Sequence, residues 1–177
     1  MFDPKSSRFI GYSLWLSSSG ELSDHLSIVI KTLAKDYNGP VFGPHVTLLT
    51  ITSQLNEAEI ILRTKKLVKN IKPFNIELGK IATEDSFFRS CYCIANRNNT
   101  NLQLCRTEAL KVFEMQEHGA YMPHLSLYYG NLPQSTKDSM ISSISLPKIM
   151  KFLVNRIYVY RTEGETQDWV RVGSFIL

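Results

Sequence analysis

Along this chain the spacing of apolar residues switches repeatedly between the two-residue period of strands and the three-to-four-residue period of helices. Phe9 to Leu16 reads as a strand. Ser18 and Glu21 form a capping box, and Leu22, Leu26, Val29, Ile30, Leu33 and Tyr37 follow at helical spacing until Asn38-Gly39-Pro40 stops the helix. A strand covers about Val46 to Ile51. Asn56 with Glu59 is a second capping box, opening a basic helix that ends before Pro73. Phe74, Ile76 and Leu78 alternate, so a strand runs to about Ala82, and Phe87 to Ala95 is a further apolar run. After the polar turn Asn96 to Thr100, a third helix carries Leu102, Cys105, Ala109, Val112 and Phe113, with Thr100 and Gln103 suited to its cap. Strand character returns from His124 to Tyr129, and a shorter helix spans Thr136 to Ser145. Two closing strands, about Phe152 to Thr162 and Asp168 to Ile176, flank the hairpin signal Glu163-Gly164-Glu165.

Within this pattern one phrase occurs twice. Pro44-His45-Val46-Thr47-Leu48-Leu49 and Pro123-His124-Leu125-Ser126-Leu127-Tyr128 both read proline, histidine, apolar, hydroxyl, apolar, and the histidines stand 79 positions apart (124 − 45). Each copy lies in a strand that is preceded by a strand and a helix and followed by a helix. The expected architecture is therefore α+β: two pseudo-symmetric lobes, each an antiparallel sheet with helices outside, around a central cleft. Residues 1–177 are read as one bilobal domain.

Composition narrows the picture. With 44% hydrophobic and 20% charged residues the chain has the makings of a packed core. A net charge of +4 suits an anionic ligand but falls short of a dedicated nucleic-acid coat. Arg63, Lys65, Lys66, Lys69 and Lys72 read best as the solvated face of one helix, with contact to substrate phosphates as the lesser reading. Cys91, Cys93 and Cys105 lack paired metal-ligand spacing and read as small buried hydrophobes, a disulfide to Cys105 being left open. No apolar run approaches membrane-spanning length. Phe9 to Leu16, followed by three serines, shares features of a leader, but the helix start immediately after it favours a first strand. The expectation is a cytoplasmic monomer with no membrane association.

The repeat carries the chemistry. Strand alternation puts His45 and Thr47 on one face and Val46 and Leu48 on the other; His124 and Ser126 behave alike. The apolar sides bury the strands, leaving imidazole and hydroxyl to line a cleft. Two imidazoles can divide acid and base work near neutrality, and in-line displacement at phosphorus requires one on each side. Thr47 and Ser126 can hold non-bridging oxygens. Neither copy holds a carboxylate, and the scheme requires no metal. One such histidine would most simply be a packed core ring; two in matched contexts favour function. His25, on the polar side of the first helix, and His118, in a Glu-His-Gly turn, lack that context and read as surface residues.

At these residues the chain resembles the two-histidine (2H) phosphoesterase superfamily, marked by paired His-x-Thr/Ser motifs on two lobes. More narrowly it resembles the plant and yeast cyclic phosphodiesterases, through Tyr12-Ser13-Leu14-Trp15, Gly39-Pro40, Phe42 to Thr47, Phe87-Phe88 with Cys91, and Tyr121 to Leu127. The resemblance implies hydrolysis of 2',3'-cyclic nucleotides or ADP-ribose 1'',2''-cyclic phosphate to the phosphomonoester, without a cofactor. It implies His45 and His124 as the acid–base pair and Thr47 and Ser126 on the phosphate. Tyr129, five residues after the second histidine, would assist; alternation places it on the opposite face, so the strand end must twist or bulge, and Tyr128 is its geometric rival. Trp15 would lie against the base, although its place in the first strand suits a core tryptophan as well. The other side of the base slot, an aromatic in the family, is Arg89 here, which can stack on a base or pair with phosphate. The alternatives are an RNA-end or 2',5'-oligonucleotide phosphodiesterase, requiring a longer basic groove, and a nucleotide- or RNA-binding module without turnover.

Overall fold

The computed structural model describes residues 5–8, 10–52, 54–117 and 119–177; the expected strand start at Phe9 and the turn histidine His118 lie outside these. Twelve regular elements follow in the order β1 (Tyr12–Ser17), α1 (Glu21–Asp36), β2 (His45–Ile51), α2 (Glu57–Val68), β3 (Phe74–Thr83), β4 (Cys91–Ala95), α3 (Thr100–Phe113), β5 (His124–Tyr128), α4 (Gln134–Ser143), β6 (Lys151–Val154), β7 (Arg156–Arg161) and β8 (Val170–Ile176). The Phe87 to Ala95 run divides into a one-turn 3-10 helix, Phe87–Arg89, and β4. The long closing strand divides at Asn155 into β6 and β7, which join different parts of the sheet.

The sheet order is β6-β3-β4-β5-β2-β1-β7-β8, antiparallel throughout. Its two four-stranded halves meet where β2 and β5, the motif strands, touch through the single register pair Val46↔Leu125. The halves exchange strands. The strand after α2, β3, pairs with β4 of the second half, and β7, beyond α4, crosses back to β1. All four helices cover one face of this sheet. Leu26 and Leu33 of α1, Ile60 and Leu67 of α2, Leu102 and Ala109 of α3 and Met140 of α4 share one core with Val46, Leu48, Leu125 and Leu127. Each of these leucine, isoleucine, valine and methionine side chains contributes about 1.5–3 kcal/mol of apolar burial. The apolar halves of both motifs thus anchor the strands, and the opposite face is left for the cleft.

Local signals succeeded where side chain and backbone lay in register. Asn56 caps α2 as expected: its side chain accepts from the Glu59 N–H, and Glu59 returns a bond to the Asn56 N–H. The Ser18 capping box does not form. β1 extends through Ser17, Gly20 turns the chain with φ 68° and becomes the cap, and the buried Ser18 hydroxyl has no partner. Asn99, one residue before the expected Thr100, caps α3 by accepting from the Leu102 N–H at 3.1 Å. At the end of α1, Gly39 packs against the Tyr128 ring so closely that a Cβ would lie 2.4 Å from it. The three cysteines are free and buried, and burial pushes each thiol up to about 12, so they are inert apolar filling. Among the described residues, no helix is long and apolar enough to cross a membrane.

Candidate active site

Continuing the Val46↔Leu125 register by one residue in either direction sets His45 level with Ser126 and Thr47 level with His124. Each histidine therefore neighbours the hydroxyl residue of the other copy, and the two histidines lie on a diagonal, with Cα atoms ~8 Å apart by strand geometry. Both line a cavity of about 360 Å³ together with Thr47, Trp15, Arg89 and Tyr129.

The prolines of the motif now have a reason. Proline forces the residue before it into extended backbone. The carbonyls of Gly43 and Met122 then face the rings two residues on, accepting from His45 Nδ1 at 2.7 Å and His124 Nδ1 at 2.8 Å. A carbonyl only accepts, so Nδ1 carries the proton in both rings, and Nε2 is the nitrogen that remains for a ligand.

The two environments differ. His45 is only 5% exposed. One face of its ring stacks on Trp15 at 3.5 Å and 7°, and Phe42 meets it edge-on. Desolvation lowers its pKa to about 4, against the raising effect of the Gly43 carbonyl, with His124 lowering it further. His124 is half-buried, with Tyr92 edge-on at 5.2 Å. Its pKa is also lowered, first by desolvation; the Met122 carbonyl raises it, the Arg89 cation lowers it and Glu84 raises it. A stability consequence follows for His45. Unfolded, it takes a proton near its ordinary 6.5; folded, only near 4. The unfolded state therefore binds more protons between those values, so stability present above pH 6.5 is lost as pH falls towards 4. The difference is worth about 3 kcal/mol. Urea unfolding at pH 7 and pH 4.5 should show that loss, and His45→Gln should reduce it; equal stability at both pH values would contradict the burial of a neutral ring.

Both motif strands carry a bulge at the same point. On β2 the register steps from Leu14↔Leu49 to Trp15↔Thr47; on β5 it steps from Cys91↔Tyr128 to Tyr92↔Ser126. The extra residue sends two consecutive side chains to the core, Leu48 with Leu49 and Leu127 with Tyr128. The following residue, Thr50 or Tyr129, consequently returns to the cleft. This is the bulge that Tyr129 requires. Its rival Tyr128 is in the core, donating its hydroxyl to the Tyr37 carbonyl at 2.8 Å. Tyr129 is 4% exposed, stacks on Phe42 at 3.7 Å, and shares a hydrogen bond with Ser126.

Two sequence-derived roles do not fit the geometry. Trp15 has no face to offer a base: His45 covers one side and Tyr160, stacked at 3.7 Å and 20°, covers the other. Ser126 does not line the cavity, and its hydroxyl donates to the Phe88 carbonyl at 2.8 Å. Arg89 does reach the cavity, paired with Glu84 at 2.6 Å. The loop that holds them is fixed from beneath by the buried Lys137, whose Nζ donates to the Glu84 carbonyl. His25 is half-buried, its Nε2 bonded to the Ser145 carbonyl at 2.8 Å. Lys65 and Lys66 project from α2, on the helix-covered side away from the cleft. Among the described residues no three His, Cys, Asp or Glu side chains converge as metal ligands. Sequence reasoning missed Tyr92, Tyr160, Thr50, Lys137 and Trp169; of these, Thr50 was signalled by the doubled apolar pair before it.

The fold and the paired His-x-hydroxyl strands define a two-histidine phosphoesterase. A family model described as "Cyclic phosphodiesterase-like protein" matches residues 10–177, and the chain belongs to that family. It is 23% identical over 164 residues to the cyclic phosphodiesterase of Arabidopsis thaliana, covering 87% of this chain and 86% of that protein. Among solved structures, apo LigT of E. coli superposes with a TM-score of 0.61 at 11% identity, covering 96% of this chain and 98% of LigT. A Thermus thermophilus protein superposes at 0.62 with 16% identity, covering 94% and 97%. At these identities the structural matches speak for the fold.

Proposed function

We propose that the protein hydrolyses 2',3'-cyclic nucleotides or the related ADP-ribose 1'',2''-cyclic phosphate to a phosphomonoester, with His45 as general base and His124 as general acid. The observation that carries this reading is the pair of imidazoles locked in one tautomer by backbone carbonyls, with both Nε2 atoms left for one cavity. His45, with its pKa near 4, is neutral at physiological pH and accepts the proton of a water. The water oxygen bonds to phosphorus as the bond from phosphorus to one ribose oxygen breaks. His124 Nε2–H protonates that leaving oxygen. A bound phosphodiester anion favours the protonated form of His124, offsetting its desolvation. Thr47 and the Arg89 guanidinium hold the non-bridging oxygens, and Tyr129 lines the same cavity beside them. The cavity of about 360 Å³ suits a small nucleotide, and the lysines of α2 face away from it, which disfavours a long RNA groove.

The pH dependence of kcat/KM tests the assignment. For 2',3'-cyclic AMP it should be bell-shaped, with an acidic limb near pH 4 from His45 and a basic limb below 6.5 from His124. Arg89→Gln removes a cation that lowers the His124 pKa, so the basic limb should move to higher pH while the acidic limb stays. A basic limb that stayed in place would contradict its assignment to His124.

A further inference from the structure

Thr50 and Tyr129 occupy equivalent places in the two halves, at the same 79-position offset as the histidines and after the same bulge. The ends of the cleft they mark are unlike. Around Tyr129 the space is filled by stacked and edge-on rings, Phe42, Phe88 and Trp169. Around Thr50 it is lined by hydroxyls. Ser13 is the cross-strand neighbour of Thr50, Thr162 Oγ1 lies 3.4 Å from Ser13 Oγ, and Thr52 follows on the same side. All four line the same cavity as the histidines.

We propose that Ser13, Thr50, Thr52 and Thr162 form an uncharged subsite that binds the nucleoside part of the substrate by hydrogen bonds. The proposal rests on the cyclic phosphodiesterase reading and adds where, and by what, the nucleoside is held. The phosphate belongs beside Arg89, the cavity's one permanent cation among the described lining residues. A wall of neutral hydroxyls suits the neutral, polar remainder of the molecule. The direction agrees with the chemistry: Thr47 stands level with His124, Thr50 lies further along the same strand, and the oxygen that His124 protonates is the ribose oxygen. Stacking on Trp15 cannot substitute, because both its faces are covered. Thr162 Oγ1 donates to the Gly11 carbonyl at 3.2 Å and is left to accept, whereas the Thr50 and Thr52 hydroxyls can donate or accept, so the subsite reads ribose hydroxyls and base edges without excluding either purine or pyrimidine.

Thr50→Val and Thr52→Val keep the β-branched shape, which the strand favours at Thr50, while deleting one hydroxyl each. Each should lower kcat/KM for 2',3'-cyclic AMP about 3- to 10-fold more than for ethylene phosphate, a cyclic diester with no nucleoside. Thr50→Ser should restore the ratio. Equal losses on both substrates, or none on either, would overturn the subsite. If the wild-type protein turned over neither diester, the phosphodiesterase reading itself would fail. Calorimetric binding of adenosine 2'-monophosphate against inorganic phosphate would then read the subsite separately: weaker nucleotide binding by Thr50→Val supports it, and unchanged binding overturns it.

Discussion

His45→Ala and His124→Ala are each expected to lower kcat for 2',3'-cyclic AMP by about 10²- to 10⁴-fold, the span of a positioned general acid or base. The losses should not be equal in character. His45→Ala removes the acceptor for the water proton, so its residual rate should rise with hydroxide concentration. His124→Ala removes the donor to the leaving oxygen, so its residual rate should depend on how well that oxygen leaves unprotonated. The double variant should fall little below the weaker single one, because each group serves the same transition state. His45→Ala also opens a gap against Trp15 and Phe42, so its folding is to be checked by unfolding midpoint. Near-normal turnover by either folded variant would refute the paired mechanism.

Trp15→Ala is expected to be the most damaging change to the architecture of the site. Its ring is 4% exposed and sandwiched between His45 and Tyr160. Truncating a buried aromatic of this size costs about 3–5 kcal/mol. Loss of the stacked face also lets the His45 ring rotate about its single Nδ1 anchor and admits water, so its pKa should rise towards 6.5 and the acidic limb of activity should move up with it. Trp15→Phe keeps one stacking ring and should recover most of both effects. The signature is a fall in kcat and in unfolding midpoint with little change in KM. A raised KM with an unchanged midpoint would instead mean that Trp15 touches the nucleotide.

The sequence exposed His45, Thr47 and His124, which line the cavity, because the motif is written twice in strand register, and Val46 and Leu125 between them are core residues on both counts. What it left hidden is three-dimensional. The bulges that turn Thr50 and Tyr129 into the cleft depend on cross-strand pairing with β1 and β4, though the doubled apolar residues hint at them. Ser126 matches Thr47 in the motif, yet its hydroxyl is taken by a carbonyl from a loop 38 positions away. Trp15 is an aromatic on the cleft face by alternation; only the approach of Tyr160 on a strand from the far end of the chain shows that its second face is closed. The asymmetry between the histidines has the same origin, since the motif is alike and the neighbours are not. Strand exchange between the halves was likewise invisible, because the pattern identifies strands but not their partners.

Paired histidines that open a cyclic phosphodiester need no metal. Wild-type hydrolysis of 2',3'-cyclic AMP, followed by phosphorus NMR in excess chelator, should therefore convert the cyclic diester steadily to a phosphomonoester at a rate indifferent to the chelator. No conversion, or a rate abolished by chelator and restored by added metal, would refute acid–base catalysis by the two rings.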